Sequence, residues 1–199
     1  MDKPADTLHP IHELLSRRWS PRAFSDRPVA PDVFKSLWEA ARWAPSCFNE
    51  QPWSFLAATQ HDPQEFNRMV ACLVEGNQVW AKQAPVLIIT VAKKQFDHNH
   101  KANPHAWHDV GQAVMSLTVQ ATALGLVLHQ MAGIVPDKIR ETYGIPDRYE
   151  PVAGIALGYP GNPDSLPDPL KKKELGPRSR HAAREFVFSG RWGQASKLA

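Results

Sequence analysis

Cysteine is scarce in this 199-residue sequence. Its two cysteines, Cys47 and Cys72, fit neither a disulfide framework nor a CxxC zinc site. Long hydrophobic runs are also missing, because no stretch approaches the roughly 18 apolar residues of a membrane span. The opening stretch MDKPADTLHP lacks the basic and apolar blocks of a signal peptide. We therefore expect a cytoplasmic protein with no membrane partner.

Several ligand-binding motifs are missing too. Neither GxGxxG nor GxxxxGK[ST] occurs, so a Rossmann or P-loop interpretation lacks its signature. The polar segment 96–109 contains four histidines, but no HExxH motif or cysteine partner accompanies them, and solvated side chains are the simpler explanation. These histidines are His98, His100, His105 and His108. The aromatic and glycine pattern of an RNA-binding module is absent. We expect neither a metal nor a nucleic-acid partner.

Positive charge is concentrated in residues 170–199, which we call the basic tail. This segment carries eight basic and two acidic side chains, whereas the rest of the chain carries 15 basic and 18 acidic ones. Such a tail suits nucleic acid, a membrane surface or a phosphorylated ligand. Nucleic acid is disfavoured by the missing RNA-binding module, and the tail is a candidate phosphate clamp. The composition, 43% hydrophobic and 22% charged, is typical of a globular protein. We expect a single domain over residues 1–199, with the basic tail as its extension.

Helix and strand signals intermingle without a regular βαβ rhythm. Periodicity and composition predict helices over 9–18, 31–44, 62–74, 77–84, 109–126 and 135–144. Apolar runs bounded by turn residues predict strands over 53–59, 85–92 and 150–161, an extended piece at 126–130 and a candidate edge strand at 184–193. Asp109 and Gln112 could form a variant capping box, after a long loop over 96–109. The basic tail is expected to begin as a linker. Three or four strands with five or six helices predict an α+β sandwich in which helices cover the sheet.

A first candidate site is the segment RRWSPR, residues 17–22. In an extended backbone around Pro21, the side chains of Arg18, Ser20 and Arg22 point to one side. Two guanidiniums and a hydroxyl on one face suit an anionic group or the polar edge of a heterocycle. A solvated basic turn after a helix is the alternative.

A second candidate is the loop after the second helix, APSCFNEQPW. Asn49 and Gln51 offer amide groups that can read a donor–acceptor edge, while Ser46 and Cys47 can donate to a phosphate or ring oxygen. The alternative is that asparagine and serine cap a turn. Cys47 has no base nearby in the sequence, which disfavours a nucleophile.

A third candidate lies in the basic tail. Arg178 and Arg180 are two residues apart, so in an extended segment both side chains point the same way. They could clamp a phosphate that no glycine loop is available to hold. A solvated tail is the alternative.

Taken together, these segments resemble the FMN-dependent nitroreductase family. The resemblance rests on RRWSPRAF, AARWAPSCFNEQPWSF, NQVWAKQAPVLII, HDVGQAVMSLTVQATALGL, PVAGIALGYP and RSRHAAREFV…GRWG, in that order. It covers about residues 11–193, and APS-x-x-N-x-QPW is among its most specific parts. The family implies an α+β three-layer sandwich with a central mixed or antiparallel sheet, flanked by helices, in an intertwined homodimer with two FMN sites at the interface.

The resemblance also implies which residues contact the cofactor. Segment 18–22 would contact the flavin phosphate and pyrimidine edge from one subunit, and the loop around Asn49 would approach from the other. Asn77 would read the flavin ring, and backbone N–H groups near Gly133 would lie by flavin N5. The implied FMN-binding residues are Arg18, Trp19, Ser20, Arg22, Pro45, Ser46, Cys47, Asn49, Gln51, Asn77, Ala132, Gly133, Arg178 and Arg180. No side chain is implied as a catalytic acid or base.

The function that the resemblance implies is an NAD(P)H-dependent FMN oxidoreductase. It would take hydride from NAD(P)H and reduce nitroaromatic, quinone or similar electron-poor acceptors by a ping-pong mechanism. Dehalogenation, flavin fragmentation and dehydrogenation occur in relatives and remain alternatives, as does a flavin-binding redox module with little turnover. Cys47 departs from the family's usual serine or alanine, and Trp80 stands where some members keep a lysine that reaches the flavin. Segment 96–108 falls in a variable region, so substrate preference does not carry over.

Overall fold

The computed structural model describes residues 3–199. Within that range it has four strands and seven α-helices. The strands are β1 (Trp53–Thr59), β2 (Val86–Lys93), β3 (Val127–Met131) and β4 (Tyr149–Gly158). The helices are α1 (Glu13–Arg17), α2 (Pro31–Arg42), α3 (Pro63–Val70), α4 (Glu75–Ala81), α5 (Ala106–Ala123), α6 (Pro136–Tyr143) and α7 (Asp168–Leu175). No helix in residues 3–199 is long and apolar enough to cross a membrane.

The four strands form one sheet in the order β1-β2-β4-β3, and each neighbouring pair is antiparallel. β2 and β4 are therefore central, while β1 and β3 are the edges. A register shift lies between Thr90 and Val91 in β2. The Thr90 hydroxyl donates to the carbonyl of Ala153 at 3.2 Å and accepts its N–H at 3.1 Å, so a side chain replaces ladder bonds there. The sheet is antiparallel, which is one of the two arrangements that the sequence led us to expect.

Helices cover both faces of the sheet. Odd-numbered positions of β2, such as Leu87 and Ile89, pack in one core, which also receives α3, α4 and α6. The alternate positions, such as Ile88, pack in a second core with α2 and α5. Because both faces of β2 are buried, its sequence reads as a continuous apolar run. The predicted three-layer α+β sandwich is confirmed.

The first turn of α5 differs from the expectation. The helix begins at Ala106, not at Asp109, and its N-cap residue is His105 without a side-chain cap. The variant capping box is therefore wrong, because Asp109 already lies inside the helix. Its carboxylate instead accepts a hydrogen bond from the backbone N–H of Cys47, at 3.0 Å. The loop predicted over 96–109 accordingly ends at His105, four residues early.

The start of the basic tail is a helix, not the expected linker. Pro169 and three lysines argued against a helix, but α7 places Pro169 in its first turn, where a missing N–H costs no intrahelical bond. The candidate edge strand over 184–193 is also wrong. That segment forms a 3-10 turn at Ala183–Glu185 and an isolated bridge between Phe188 and Ala195, outside the sheet.

Candidate functional site

Three of the arginines singled out in the sequence lie close together. Burial, followed by the charges of Arg178 and Arg180, lowers the pKa of the Arg18 guanidinium. Burial and the charge of Arg180 likewise lower the pKa of Arg178. Among residues 3–199, none of the three has a carboxylate within 4 Å. We call Arg18, Arg22, Arg178 and Arg180, with the backbone of residues 18–23, the arginine region. Its uncompensated positive charge favours an anion.

The predicted alternation in segment 17–22 is partly visible in the contacts. Arg18 donates from Nη1 to the Ser20 hydroxyl at 3.4 Å, so these two side chains lie on the same side. The guanidinium of Arg22 lies over the ring of Trp80, 5.7 Å from its centroid. Trp19 lies under the ammonium group of Lys3, at 4.9 Å from the ring centroid. A basic turn fully exposed to solvent is therefore not what forms.

Side chains from distant elements hold the backbone of the arginine region. The Glu174 carboxylate accepts the N–H groups of Arg22, at 2.8 and 3.0 Å, and of Ala23, at 3.1 Å. Nδ1 of His129, in β3, lies 3.0 Å from the carbonyl oxygen of Pro21. Sequence reasoning missed both residues. Glu174 was hidden in a presumed linker, and His129 is a lone histidine in a short extended piece, so neither carried a recognisable signal.

Trp80 belongs to the core and not to the open surface. It is 1% exposed, stacks on Phe24 with ring centroids 6.4 Å apart, and lies 4.7 Å from the ring of His129. The tryptophan that replaces the lysine of some family members is therefore buried, and its indole packs against Arg22 and His129. No ammonium group stands at position 80 to reach a ligand.

His129 is held in its neutral form. Burial, followed by the charge of Arg22, lowers the pKa of its imidazole to about 4, against the weaker opposing effect of hydrogen bonds to the Pro21 and Ser20 carbonyls. A neutral imidazole with its proton on Nδ1 donates to the Pro21 carbonyl and leaves Nε2 as an acceptor.

We expect His129 to make the protein less stable in acid. The unfolded chain binds a proton near pH 6.5, whereas the folded chain does so only near pH 4, so stability is complete above pH 6.5 and falls as pH drops through this window. At pH 5 the loss should be about 2 kcal/mol. His129→Gln, whose amide can still donate to Pro21, should lose less stability between pH 7 and pH 5 in urea unfolding. His61→Gln, at an exposed site, is the control. Equal losses in the parent and His129→Gln would contradict the assignment.

Asn77 and Gly133 meet next to the end of β3. Nδ2 of Asn77 donates to the carbonyl of Gly133 at 3.0 Å, and the N–H of Val74 donates to the same oxygen at 3.1 Å. A Cβ at position 133 would lie 2.4 Å from Nδ2 of Asn77, so only glycine allows this approach. Ala132 is exposed beside the pair. The structure therefore brings together the three residues expected at the flavin ring.

The 45–51 loop is a second, separate region. Phe48, Asn49 and Gln51 have φ of 53°, 56° and 48°, which is the left-handed region that non-glycine residues adopt at a cost. The hydroxyl of Ser46 accepts the N–H of Gln51 at 3.0 Å. Pro45 is exposed, and the Phe48 ring is 78% exposed. The loop is thus an ordered path that turns side chains outward.

Two carboxylates, one outside the 45–51 loop and one within it, tie the loop to neighbouring segments. Asp109 is 2% exposed and accepts the Cys47 N–H, as described above. Glu50 accepts the N–H of Asp97 at 2.8 Å and pairs with Nδ1 of His98 at 2.5 Å, which ties the histidine-rich segment to the loop. Asp109 was expected as a cap and is instead a support of the loop. In residues 3–199, no cluster of three His, Cys, Asp or Glu side chains could hold a metal ion.

The two regions lie at opposite edges of the sheet. The 45–51 loop leads into β1, whereas the arginine region and the Asn77–Gly133 pair adjoin β3 through His129 and Met131. Three inter-strand steps separate β1 from β3, which amounts to about 14 Å. The residues expected at the flavin therefore fall into two groups within one chain.

Comparisons with known proteins agree with this architecture. A sequence model described as the nitroreductase family matches residues 15–159. A crystal structure described as an oxidoreductase containing FMN superposes with a TM-score of 0.88 at 36% identity, covering 94% of this chain and 95% of that one. A Ralstonia nicotianae protein with the provisional name NADH dehydrogenase/NAD(P)H nitroreductase is 28% identical over 174 residues, covering 77% of this chain and 88% of the relative. Iodotyrosine deiodinase 1 of Rattus norvegicus is 28% identical over 197 residues, covering 83% of this chain and 67% of the relative.

The family match covers more than half of the chain and includes the Arg18–Arg22 segment, the 45–51 loop and the Asn77–Gly133 pair. The superposition with the FMN-containing oxidoreductase extends over nearly the whole chain. The chain belongs to the nitroreductase family of oxidoreductases.

Proposed function

We propose that this protein is an FMN-dependent oxidoreductase that takes hydride from NAD(P)H and reduces nitroaromatic, quinone or similar electron-poor acceptors. The observation that carries the proposal is the arginine region: guanidiniums without carboxylate partners, beside the Asn77–Gly133 pair and along one sheet edge. The NAD(P)H nitroreductase name of the Ralstonia relative and the FMN in the solved neighbour support the choice of cofactor and donor.

The residues present fit FMN by their donor chemistry. A phosphate group accepts several charge-assisted hydrogen bonds, and Arg18 and Arg180 carry guanidinium donors at the place where like charges crowd. Arg22 and Ser20 would hold the pyrimidine edge. Asn77, with the backbone at Ala132 and Gly133, would contact the ring system. The basic tail thereby contributes to the phosphate site of a domain that spans residues 1–199.

A homodimer would complete the site. The 45–51 loop precedes β1, the edge strand opposite the one that the arginine region adjoins. This supports an arrangement in which Pro45, Ser46, Cys47, Asn49 and Gln51 approach the flavin bound by a second copy. The exposed face of α5 supports such an assembly. Trp107 and Met115 are 45% and 38% exposed, with Gly111 between them on the same helical stripe.

The residues of this chain would bind and orient the flavin and shield it from water, and no side chain need act as an acid or base. When bound, FMN supplies the two-electron transfer between a nicotinamide and an acceptor, which side chains cannot perform. The guanidinium of Arg22 is fixed over Trp80, and the neutral His129 beneath it adds no competing charge. A cation held at the pyrimidine edge favours extra negative charge there. Since donor and acceptor would occupy the same open site in turn, we expect ping-pong kinetics.

The test is anaerobic reduction of the purified protein. We expect FMN to bind to the protein, its absorbance bands to bleach with NADH or NADPH, and a nitroaromatic or quinone to restore them. A protein that refuses FMN would contradict the proposal. Retained flavin with negligible reduction by either nicotinamide would instead indicate a flavin-binding module. A halogenated aromatic tested in parallel would detect dehalogenation, which the similarity to rat iodotyrosine deiodinase makes the second candidate.

A further inference from the structure

We infer that Glu174 and Arg178 are positioning residues, which set the backbone of the arginine region so that Arg18 and Arg180 are left to hold the phosphate. The inference rests on the proposed function and assigns different roles to two arginines of the basic tail, Arg178 and Arg180. Glu174 and Arg178 stand four residues apart, at the end of α7 and just after it.

Arg178 uses its guanidinium on backbone carbonyls. Nη1 donates to the carbonyl of Lys3 at 2.6 Å and to that of Ser16 at 3.0 Å, and Nη2 donates to the carbonyl of Arg18 at 2.8 Å. These three acceptors lie on two separate stretches of the N-terminal segment. The planar fork therefore joins the end of α1 to the chain that precedes it, and most of its donor capacity is occupied.

Among residues 3–199, Arg180 makes fewer hydrogen bonds than Arg178 and none to a distant segment. Its side chain is exposed, and Nη1 donates to the carbonyl of its neighbour Ser179, at 2.6 Å. Its charge nevertheless contributes to the lowered pKa of Arg18, so the two guanidiniums are close. Arg180 thus has free N–H donors next to the guanidinium of Arg18.

Glu174 acts on the same stretch from the other side. Its carboxylate is 2% exposed and receives the N–H groups of Arg22 and Ala23, not a guanidinium. Among residues 3–199 the Glu174 carboxylate forms no ion pair with an arginine, so it occupies none of the guanidinium donors of the arginine region. The segment 174–180 therefore holds the N-terminal backbone in two ways. The Arg178 guanidinium donates to carbonyls, and the Glu174 carboxylate accepts N–H groups.

Lysine substitution separates positioning from phosphate binding. A lysine ammonium is a point charge that serves well for a phosphate but cannot bridge three carbonyls in a fixed plane. If Arg180 contacts the phosphate, Arg180→Lys should recover most of the FMN affinity lost in Arg180→Ala. If Arg178 acts through the backbone, Arg178→Lys should recover none of the affinity lost in Arg178→Ala, which we expect to be about tenfold. Affinity is measured by quenching of FMN fluorescence with apoprotein.

A second measurement keeps the inference testable should the arginine variants fold poorly. In apo Glu174→Gln, which preserves shape but removes the charge, we expect the amides of Arg22 and Ala23 to exchange hydrogen faster than in the parent. Exchange at Ile88 in the central strand should be unchanged. The same variant should bind both FMN and riboflavin more weakly, because Arg22 would lose its alignment.

Two results would overturn the inference: recovery of FMN binding by Arg178→Lys to the extent seen with Arg180→Lys, or Glu174→Gln with parental exchange or parental FMN affinity. Failure of the proposed function is seen separately, because then the parent apoprotein itself would not quench FMN fluorescence.

Discussion

Replacing Arg180 by alanine is expected to weaken FMN binding by about 10- to 150-fold, which corresponds to the roughly 1.5–3 kcal/mol of a hydrogen bond to a charged group. Arg18→Ala should have an effect of the same size. Arg18 is partly buried and its charge is crowded by Arg178 and Arg180, so an anion relieves more repulsion there than at an isolated surface arginine. The two losses should not add in the double variant, since both groups contact one phosphate.

Riboflavin is the matched ligand for this experiment. It lacks the phosphate, so Arg180→Ala should bind riboflavin almost as well as the parent does while losing FMN. Arg191→Ala removes another exposed charge of the basic tail and controls for its general field. If Arg191→Ala loses as much FMN affinity as Arg180→Ala, the phosphate assignment is wrong. Any loss of FMN affinity in Arg191→Ala should also shrink at high salt more than the loss in Arg18→Ala does.

Mixing two inactive variants is expected to restore flavin binding. Arg180→Glu would disable the arginine region, and Cys47→Trp would fill the space that the 45–51 loop offers to the flavin. Each homodimer should then have no working site. In a mixed dimer, one site combines both defects and the other combines two intact half-sites. Random reassociation makes about half the dimers mixed, so about a quarter of the sites should bind FMN, starting from near zero.

The complementation has a direct control. The same two substitutions placed together in one chain, mixed with the parent, leave one damaged half-site in each site of a mixed dimer, so that those dimers should bind no FMN. Circular dichroism melting of each variant checks that it is folded. If mixing restores nothing although exchange of subunits is seen by mass spectrometry, the two regions do not share a site.

Much of the layered fold could be predicted because its strands are unambiguous. The β1 bounds 53–59 were predicted correctly, since a short apolar run stands between turn signals on both sides. β2 was predicted within one residue because it is buried on both faces. The α7 helix could not be predicted in this way, because Pro169 and the lysine run resemble a linker. Glu174, near the end of that helix, accepts the N–H of Arg22, about 150 residues earlier in the chain, and such a long-range contact leaves no local signal.

The candidate site was predicted where its residues form a motif and missed where they act through the backbone. Arg18, Asn77 and Gly133 were identified from their segments, and the structure brings Asn77 and Gly133 into contact. Glu174 and His129 bind main-chain groups that every residue possesses, so no sequence pattern marks them. The same holds for Asp109, whose partner is the N–H of Cys47. The role of each predicted flavin contact stays a prediction until the variants are measured.

Three residues of the 45–51 loop have a left-handed backbone conformation although none of them is glycine. Glycine at Phe48 or Gln51 would relieve about 1–2 kcal/mol of backbone strain and give back about 0.4–1 kcal/mol through a freer unfolded chain, whereas asparagine at position 49 tolerates this conformation. Stability alone would therefore favour glycine at Phe48 and Gln51. The presence of larger side chains at these two positions points to a use for the side chains themselves. Natural variation in this loop should consequently follow the ligand that each descendant acts on, more than the temperature at which it must stay folded.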